Sequence, residues 1–357
     1  MLTFLKKRKN RVILYIVFSV LTLLALVSFL IYRHDGGVLQ SQQEARRFRG
    51  GSEDRFAQVS AFFPAGDGTD EQGIYNLTVA VDKAFVTASL EAEEGRSLYE
   101  LCYSGEGSVS LRGPKGSASA PALGVGGEFF RFHPLELVSG GYLTSGDVMH
   151  DRVVLDRDLA WRLFGATDVA GMSVLIGGEP YYVAGVIDRE SDRWSRTAYR
   201  DGAGLFMFFD ALHKLDENAR ITAVELTSAD PISGFASGVM ENQFSSAEVV
   251  ENSSRFGLEK TYQNIGKFSE RTMRTEAVKL PYWENAARLA ENDCARALAF
   301  ATAFIVLPVV MVITAAVLAV RALLRKVKEG IPELIERRRE ERFEQEQQRK
   351  REEKRNG

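Results

Sequence analysis

The residue types best suited to metal or nucleophilic chemistry are four histidines, His34, His133, His150 and His213, and two cysteines, Cys102 and Cys294. Their spacing supports neither chemistry. His133 and His150 would hold a cation with Asp147 or Asp151 only if folding brought them together, and no His-Glu-x-x-His or Cys-x-x-Cys pattern pre-sets such a group. A Gly-x-Ser-x-Gly elbow is absent. So is Gly-x-x-x-x-Gly-Lys-Ser/Thr, the loop whose amides cradle nucleotide phosphates. Gly105-Glu106-Gly107 and Gly124-Val125-Gly126 lack the third glycine of a dinucleotide site. Asn76-Leu77-Thr78 and Asn252-Ser253-Ser254 match a glycosylation sequon, which matters only in a eukaryotic secretory pathway. No catalytic residue, cofactor, metal or disulfide is therefore expected, and an ectoenzyme is the weakest of the functional readings.

Two apolar runs dominate the remaining chain. Val12 to Tyr32 carries no charge and would form a helix about 31 Å long at ~1.5 Å per residue, against a hydrocarbon core of roughly 30 Å. Lys6, Lys7, Arg8, Lys9 and Arg11 precede it. The run is too long for a signal-peptide core and ends in Phe29, Leu30, Ile31 and Tyr32 without a small-residue cleavage site, so a retained helix is expected. Ala297 to Val320 is the second run. Pro308 near its middle frees one backbone carbonyl and offers a hinge. Arg321, Arg325, Lys326 and Lys328 follow it directly. Basic residues favour the cytoplasmic side, so both termini are expected inside and residues 33–296 outside. The lipid bilayer is thus one partner. A net charge of −3 gives no reason to expect nucleic acid.

Beyond residue 320 the chain is mostly Arg, Lys, Glu and Gln, with opposite charges at helical spacing such as Arg337 and Glu341. A solvated helical tail over 321–357 is expected, free or docked on a cytoplasmic partner.

Between the runs, residues 33–56 read as a polar linker reaching a strand near Phe56 to Phe63, and Pro64 to Gly73 as a loop. Tyr75 to Val81 is β-branched and alternating, which predicts a strand. From Gly105 to about residue 200 glycines are frequent and apolar runs short, the texture of β-structure. Within it Arg157 to Phe164 predicts a helix, with Asp156 as N-cap and Gly165 as its left-handed end. Met172 to Ile176 and Tyr181 to Val186 flank Gly177-Gly178, predicting a hairpin. Leu205 to Phe209 and Ile221 to Leu226 predict strands. Asp230 and Pro231 predict the start of a helix running to Phe244. Residues 256–296 predict a helical return broken at Pro281.

The order of Phe129-Phe130, Leu137, Gly140, Asp147, Val154-Leu155, Leu163-Phe164-Gly165, Gly171, Gly178, Val183 and Gly185-Val186 resembles the periplasmic core domain of FtsX/MacB-type ABC transporter permeases. The resemblance covers about 60 residues well and the rest of the outer domain in outline. These side chains are scaffold: rings and aliphatics fill a core, and glycines permit turns. The resemblance implies an α+β extracytoplasmic domain, an α/β porter-like subdomain with an inserted β-rich subdomain (about 105–200), between two transmembrane α-helices. It implies a bacterial cell-membrane subunit that couples a cytoplasmic ABC ATPase to the outer domain, with Arg321, Arg325, Lys326 and Lys328 at the coupling end. Such permeases usually carry four transmembrane helices and this sequence contains two, so a fuller permease or a homo-oligomer is implied as a further partner. The alternative is a membrane-anchored sensor or scaffold that binds an extracytoplasmic protein.

Overall fold

The computed structural model describes residues 2–92, 95–199, 204–275 and 280–356. The side chains of residues 2–11, 329–330, 333–334, 336, 346–348 and 350–356 lie outside that description, and with them the basic cluster Lys6, Lys7, Arg8, Lys9 and Arg11. The chain divides into two units, one of residues 1–29 with 300–357 and one of residues 30–299.

The first unit consists of the apolar part of helix α1 (Leu2–Asp35) and the greater part of the last helix of the chain, which ends at Asn356. Two stretches, Val12–Asp35 and Tyr282–Lys328, are long and apolar enough to cross a membrane. Their Leu, Ile, Val and Phe side chains between 12 and 29 and between 300 and 320 are largely exposed. Water would penalise that surface at roughly 25 cal/mol per Å², and lipid would not. Pro308 and Pro332 both lie inside the last helix.

The second unit is built on one ten-stranded sheet. In chain order its elements after α1 are α2 (Glu44–Arg49), β1 (Phe56–Phe62), α3 (Glu71–Thr87), β2 (Tyr99–Arg112), β3 (Ser117–Gly127), α4 (Phe129–Phe132), β4 (Glu136–Gly140) and β5 (Arg152–Asp156). Next come α5 (Arg157–Phe164), β6 (Ser173–Ile176), β7 (Glu179–Asp188), α6 (Arg193–Ala198), β8 (Leu205–Phe208), α7 (Phe209–Leu215) and β9 (Ala223–Ala229). The last are α8 (Phe235–Gln243), β10 (Glu248–Glu251), α9 (Leu258–Asn264) and α10 (Tyr282–Asn356).

The sheet has an open half and a closed half. In the open half the order is β10, β1, β9, β2, all antiparallel. In the closed half β2 pairs β3, β3 pairs β8, β8 pairs β5, β5 pairs β7, β7 pairs β6, and β6 returns to β2 at Leu111 and Arg112. The β-rich segment is therefore a ring of strands joined to the α/β half through β2, whose start pairs β9 and whose end pairs β6.

Strand alternation gives the open half two unlike faces. Val59, Ala61, Val224 and Leu226 belong to the apolar core, which also holds Leu77, Val81 and Phe85 of α3 and Met240 of α8. The alternate residues are mostly polar, and all but half-buried Glu100 are buried. Ser60, Glu225 and Cys102 form one cross-strand row, and Gln58, Thr227 and Glu100 the next.

Three expectations are corrected here. Residues 71–87 are a helix, not a strand from Tyr75 to Val81: Ile74, Leu77, Val81 and Phe85 are buried at spacings of three and four, and Asp70 caps the start by accepting from the Gly73 amide at 2.9 Å. Tertiary burial overrides the β-branched bias. Residues 33–56 are no linker, because Leu39, Ser41, Gln42, Glu44 and Ala45 are buried. Gln58 fastens them, donating to the Ser41 carbonyl at 2.7 Å and accepting from the Glu44 amide at 2.9 Å. Finally, α8 starts at Phe235 rather than at Pro231, with Gly234 at its N-cap. Asp230 instead accepts from the Ala236 amide at 3.2 Å and pairs with Arg55 at 3.0 Å.

Candidate functional site

The polar face of the open half is where the last helix begins. Tyr282 to Ala299 of α10 belong to the second unit, and their buried residues include Glu284, Asn285, Arg288, Glu291 and Asn292, interleaved with Ala286, Ala287 and Ala290. Positions 284, 288, 291 and 292 share one helical face. Polar residues thus occupy a stripe that apolar ones would normally fill.

Arg255, in the turn after β10, meets that stripe. Its guanidinium donates to both carboxylate oxygens of Glu284 at 2.6 Å each, to Glu291 at 3.1 Å and to the Gln42 side-chain oxygen at 3.2 Å. Arg271 adds a second cation 3.6 Å from Glu291. Burial alone would lower the pKa of Arg255, but the two carboxylates outweigh it and hold the guanidinium charged, above its ordinary range. The fork geometry suits a guanidinium, not an ammonium. Arg288 turns to the backbone instead, donating to the carbonyls of Thr272 (2.8 Å) and Glu270. Asn292 donates to the carbonyls of Phe268 and Arg271, both at 3.1 Å. Asn285 accepts from the Arg274 amide at 2.8 Å and donates to the Leu280 carbonyl at 3.0 Å. Five residues of one helix therefore lock its rotation and height against Arg255, Leu280 and residues 268–274.

A second cluster joins the end of α1 to the same helix. Arg193 of α6 lies 2.9 Å from Asp35 and 2.9 Å from Asp293, and Trp194 donates its indole N–H to Asp293 at 2.9 Å. Asp192 caps α6 by accepting from the Trp194 and Ser195 amides at 2.9 Å. Tyr32 donates its hydroxyl to the Phe256 carbonyl at 2.8 Å.

A third cluster sits under the first turn of α10. Glu225 of β9 accepts from Ser60 at 3.0 Å and from the Trp283 indole at 3.1 Å, and lies 2.8 Å from His133 Nε2. The Cys102 Sγ is 3.9 Å from the same carboxylate. The ligand-type atoms of Cys102, His133 and Glu225 all lie within 4.8 Å of one another, so these three are the residues that would hold a metal. Their geometry fits hydrogen bonding better. The Nε2 to Oε2 separation is that of a direct hydrogen bond, and Glu225 is already filled by donors. Burial pushes the Cys102 thiol well above its usual range, with Glu225 adding to it, so it stays protonated. His133 Nδ1 has no hydrogen-bond partner among the described residues. That favours the Nε2–H tautomer donating to Glu225, because a buried bare lone pair costs less than an orphaned N–H. Trp283 and Phe129 pack on the imidazole with ring centroids 4.4 and 4.5 Å away.

Residues 45–237, more than half of the chain, match the family model described as the MacB-like periplasmic core domain. The chain belongs to this family. Over 71 residues it is 35% identical to the macrolide export ATP-binding/permease protein MacB of Chromobacterium violaceum, a match that spans 19% of this chain and only 11% of that protein. Among solved structures it is similar to the periplasmic region of MacB from Actinobacillus actinomycetemcomitans, at 18% identity and TM-score 0.39, covering 58% of this chain and 92% of that one. It is also similar to the extracellular domain of the noncanonic ABC-type transporter YknZ from Gram-positive bacteria, at 16% identity and TM-score 0.37, covering 54% and 99%.

Within the MacB-like domain the motif residues surround the closed half of the sheet. Phe129 and Phe130 are buried on α4, Val154 and Leu155 on β5, Leu163 and Phe164 on α5, and Val183 and Val186 on β7. Asp156 caps α5 by accepting from the Asp158 and Leu159 amides at 3.0 and 3.1 Å, and Gly165 ends it at φ 73°. Gly140 (φ 72°) and Gly185 face each other across the β4–β7 pair, where no methyl group fits. Gly171 and Gly178 adopt φ of 82° and 95° in open turns. Asp147 accepts from the Thr144 amide at 3.0 Å and pairs with Arg152 at 3.2 Å, closing a turn. Leu137 differs from the core role expected of it: it is 38% exposed on β4. Pro308 lies inside α10, and Arg321, Arg325, Lys326 and Lys328 are exposed along it, away from the motif residues in sequence and in unit.

The α10 residues of these clusters fall outside the family match, and sequence reasoning missed the clusters. Their signal was present as charged residues at positions 284, 288 and 291 in a segment also rich in alanine. A charged helical face ordinarily reads as solvated, and only the fold reveals that Arg255, Arg271 and the carbonyls of Glu270 and Thr272 cover it.

Proposed function

We propose that this protein is the permease-like membrane subunit of a bacterial ABC-type transport or mechanotransmission system. A cytoplasmic ATPase moves the membrane helices, and the MacB-like domain outside the membrane changes its shape or its contacts. The observation that carries this reading is the course of α10. One helix begins among the buried charges of the extracytoplasmic domain, continues through the second apolar run and ends in the charged stretch beyond residue 320. The Chromobacterium violaceum relative, an ATP-binding/permease protein, supports the class of partner.

In this reading both termini are cytoplasmic, as the basic flanks favour. Arg321, Arg325, Lys326 and Lys328 face the ATPase or the anionic leaflet, where each basic side chain contributes ~1 kcal/mol. Pro308 is the bending point, since its ring removes the hydrogen bond to the Phe304 carbonyl. Two helices cannot enclose a pore, so the working unit contains a second copy or a fuller permease.

Reconstitution with a candidate ABC ATPase tests the reading. The full chain is expected to bind the ATPase and to change its turnover several-fold, and removing residues 321–357 is expected to abolish both effects. Unchanged turnover with the full chain, against ATPases drawn from the same genome, would favour a scaffold that binds an extracytoplasmic protein.

A further inference from the structure

Helix α9 stands at an unusual height in the domain. Just before it, Phe256 packs with Tyr32, Cys294, Ala297 and Leu298. Its carbonyl accepts from the Tyr32 hydroxyl at 2.8 Å. Tyr32 closes the first apolar run and Ala297 opens the second, so Phe256 marks the level at which both helices leave the hydrocarbon. The chain stays at that level after α9. The Phe268 carbonyl accepts from Asn292, and the Arg296 guanidinium lies 5.5 Å from the centre of the Phe268 ring.

On α9 itself Thr261 and Asn264 are buried against the domain, whereas Leu258 is 51% and Tyr262 47% exposed. Residues four apart on a helix share a face. Exposed Glu259 and Glu270 balance exposed Lys260 and Lys267 in this stretch. An apolar residue and a tyrosine side by side, at the depth where two membrane helices emerge, match the chemistry of the headgroup region: tyrosine places its ring against acyl chains and its hydroxyl toward water.

We propose that α9 is an interfacial helix whose Leu258 and Tyr262 enter the boundary between headgroups and acyl chains of the bilayer. The domain is thereby seated on the membrane at a third point besides its two helices. The occupant of this face is lipid, because the face starts two residues after Phe256, which packs on Tyr32 and Ala297 where the two apolar runs end. The balanced charge makes binding independent of anionic lipid. This inference rests on the membrane reading alone, so an absent ATPase leaves it standing.

The test uses the full chain, one copy per nanodisc. Leu258→Cys and Tyr262→Cys are labelled with an environment-sensitive fluorophore, and Val148→Cys serves as the aqueous reference, since Val148 is 90% exposed on the loop between β4 and β5. Native Cys102 and Cys294 are buried. Phospholipids brominated near the headgroup end of the acyl chain are expected to quench the labels at 258 and 262 several-fold more than the label at 148, equally in zwitterionic and anionic discs. Quenching at 258 and 262 no greater than at 148, with full access to iodide, would overturn the proposal. So would shielding from both quenchers, which would mean that protein covers this face.

Discussion

Arg255→Ala is expected to destabilise the extracytoplasmic domain by about 3–5 kcal/mol, the usual cost of leaving buried carboxylates without their cation. Glu284 and Glu291 are 1% and 4% exposed at their side chains, so water cannot take over. Burial already raises the pKa of Glu284, with Arg255 opposing it. Without Arg255 that carboxyl must take up a proton or drag its helix turn outward. Urea unfolding of the full chain followed by tryptophan fluorescence reads the loss, since Trp283 is the neighbour of Glu284. The combined variant Arg255→Met, Glu284→Leu, Glu291→Leu is expected to recover most of the stability, because an apolar replacement removes the desolvation cost together with the ion pairs. A single variant that unfolds like the wild type would show that these charges reach solvent.

Gly140→Ala is expected to cost about 3–4 kcal/mol, and its neighbour Gly141→Ala almost nothing. Gly140 has φ 72°, and a methyl group on it would stand 2.2 Å from the Ala184 carbonyl oxygen. The left-handed backbone accounts for ~1–2 kcal/mol of the cost and the steric overlap for ~1–3 kcal/mol. At Gly141 an added methyl group meets nothing within 4 Å, and its φ is not positive. Urea midpoints of the two variants, measured side by side, decide whether the close approach of β4 to β7 is as tight as described. Equal midpoints would contradict it.

Local chemistry was the legible part of this fold. The helix from Arg157 to Phe164 carried its own cap and its own terminating glycine, and both act as their residue types require. The Gly177-Gly178 hairpin was similarly explicit, because positive φ of 62° and 95° is what glycine supplies. The α3 segment was misleading: Val79 and Val81 suit a strand, and only the burial of Ile74, Leu77, Val81 and Phe85 against the sheet makes a helix of it. The candidate site was the least legible. Gln58, Ser60, Glu225 and Thr227 are residues that ordinarily mark the wet face of a strand, yet all four are buried. The partners of Gln58, Ser60 and Glu225 include Ser41, Glu44, His133, Asn252, Ser253 and Trp283, far apart in the chain, and no local pattern announces that they meet.

The claim on which the rest depends is that residues 33–296 lie outside the cytoplasm, between two helices that cross the membrane. It is tested directly by labelling spheroplasts with a membrane-impermeant maleimide. Val86→Cys places a thiol at a position 79% exposed on α3, and Arg325→Cys places one on α10 beyond the second apolar run. The cysteine at 86 is expected to react in intact spheroplasts, and the one at 325 only after lysis. Labelling of both before lysis, or of 325 alone, would contradict the account.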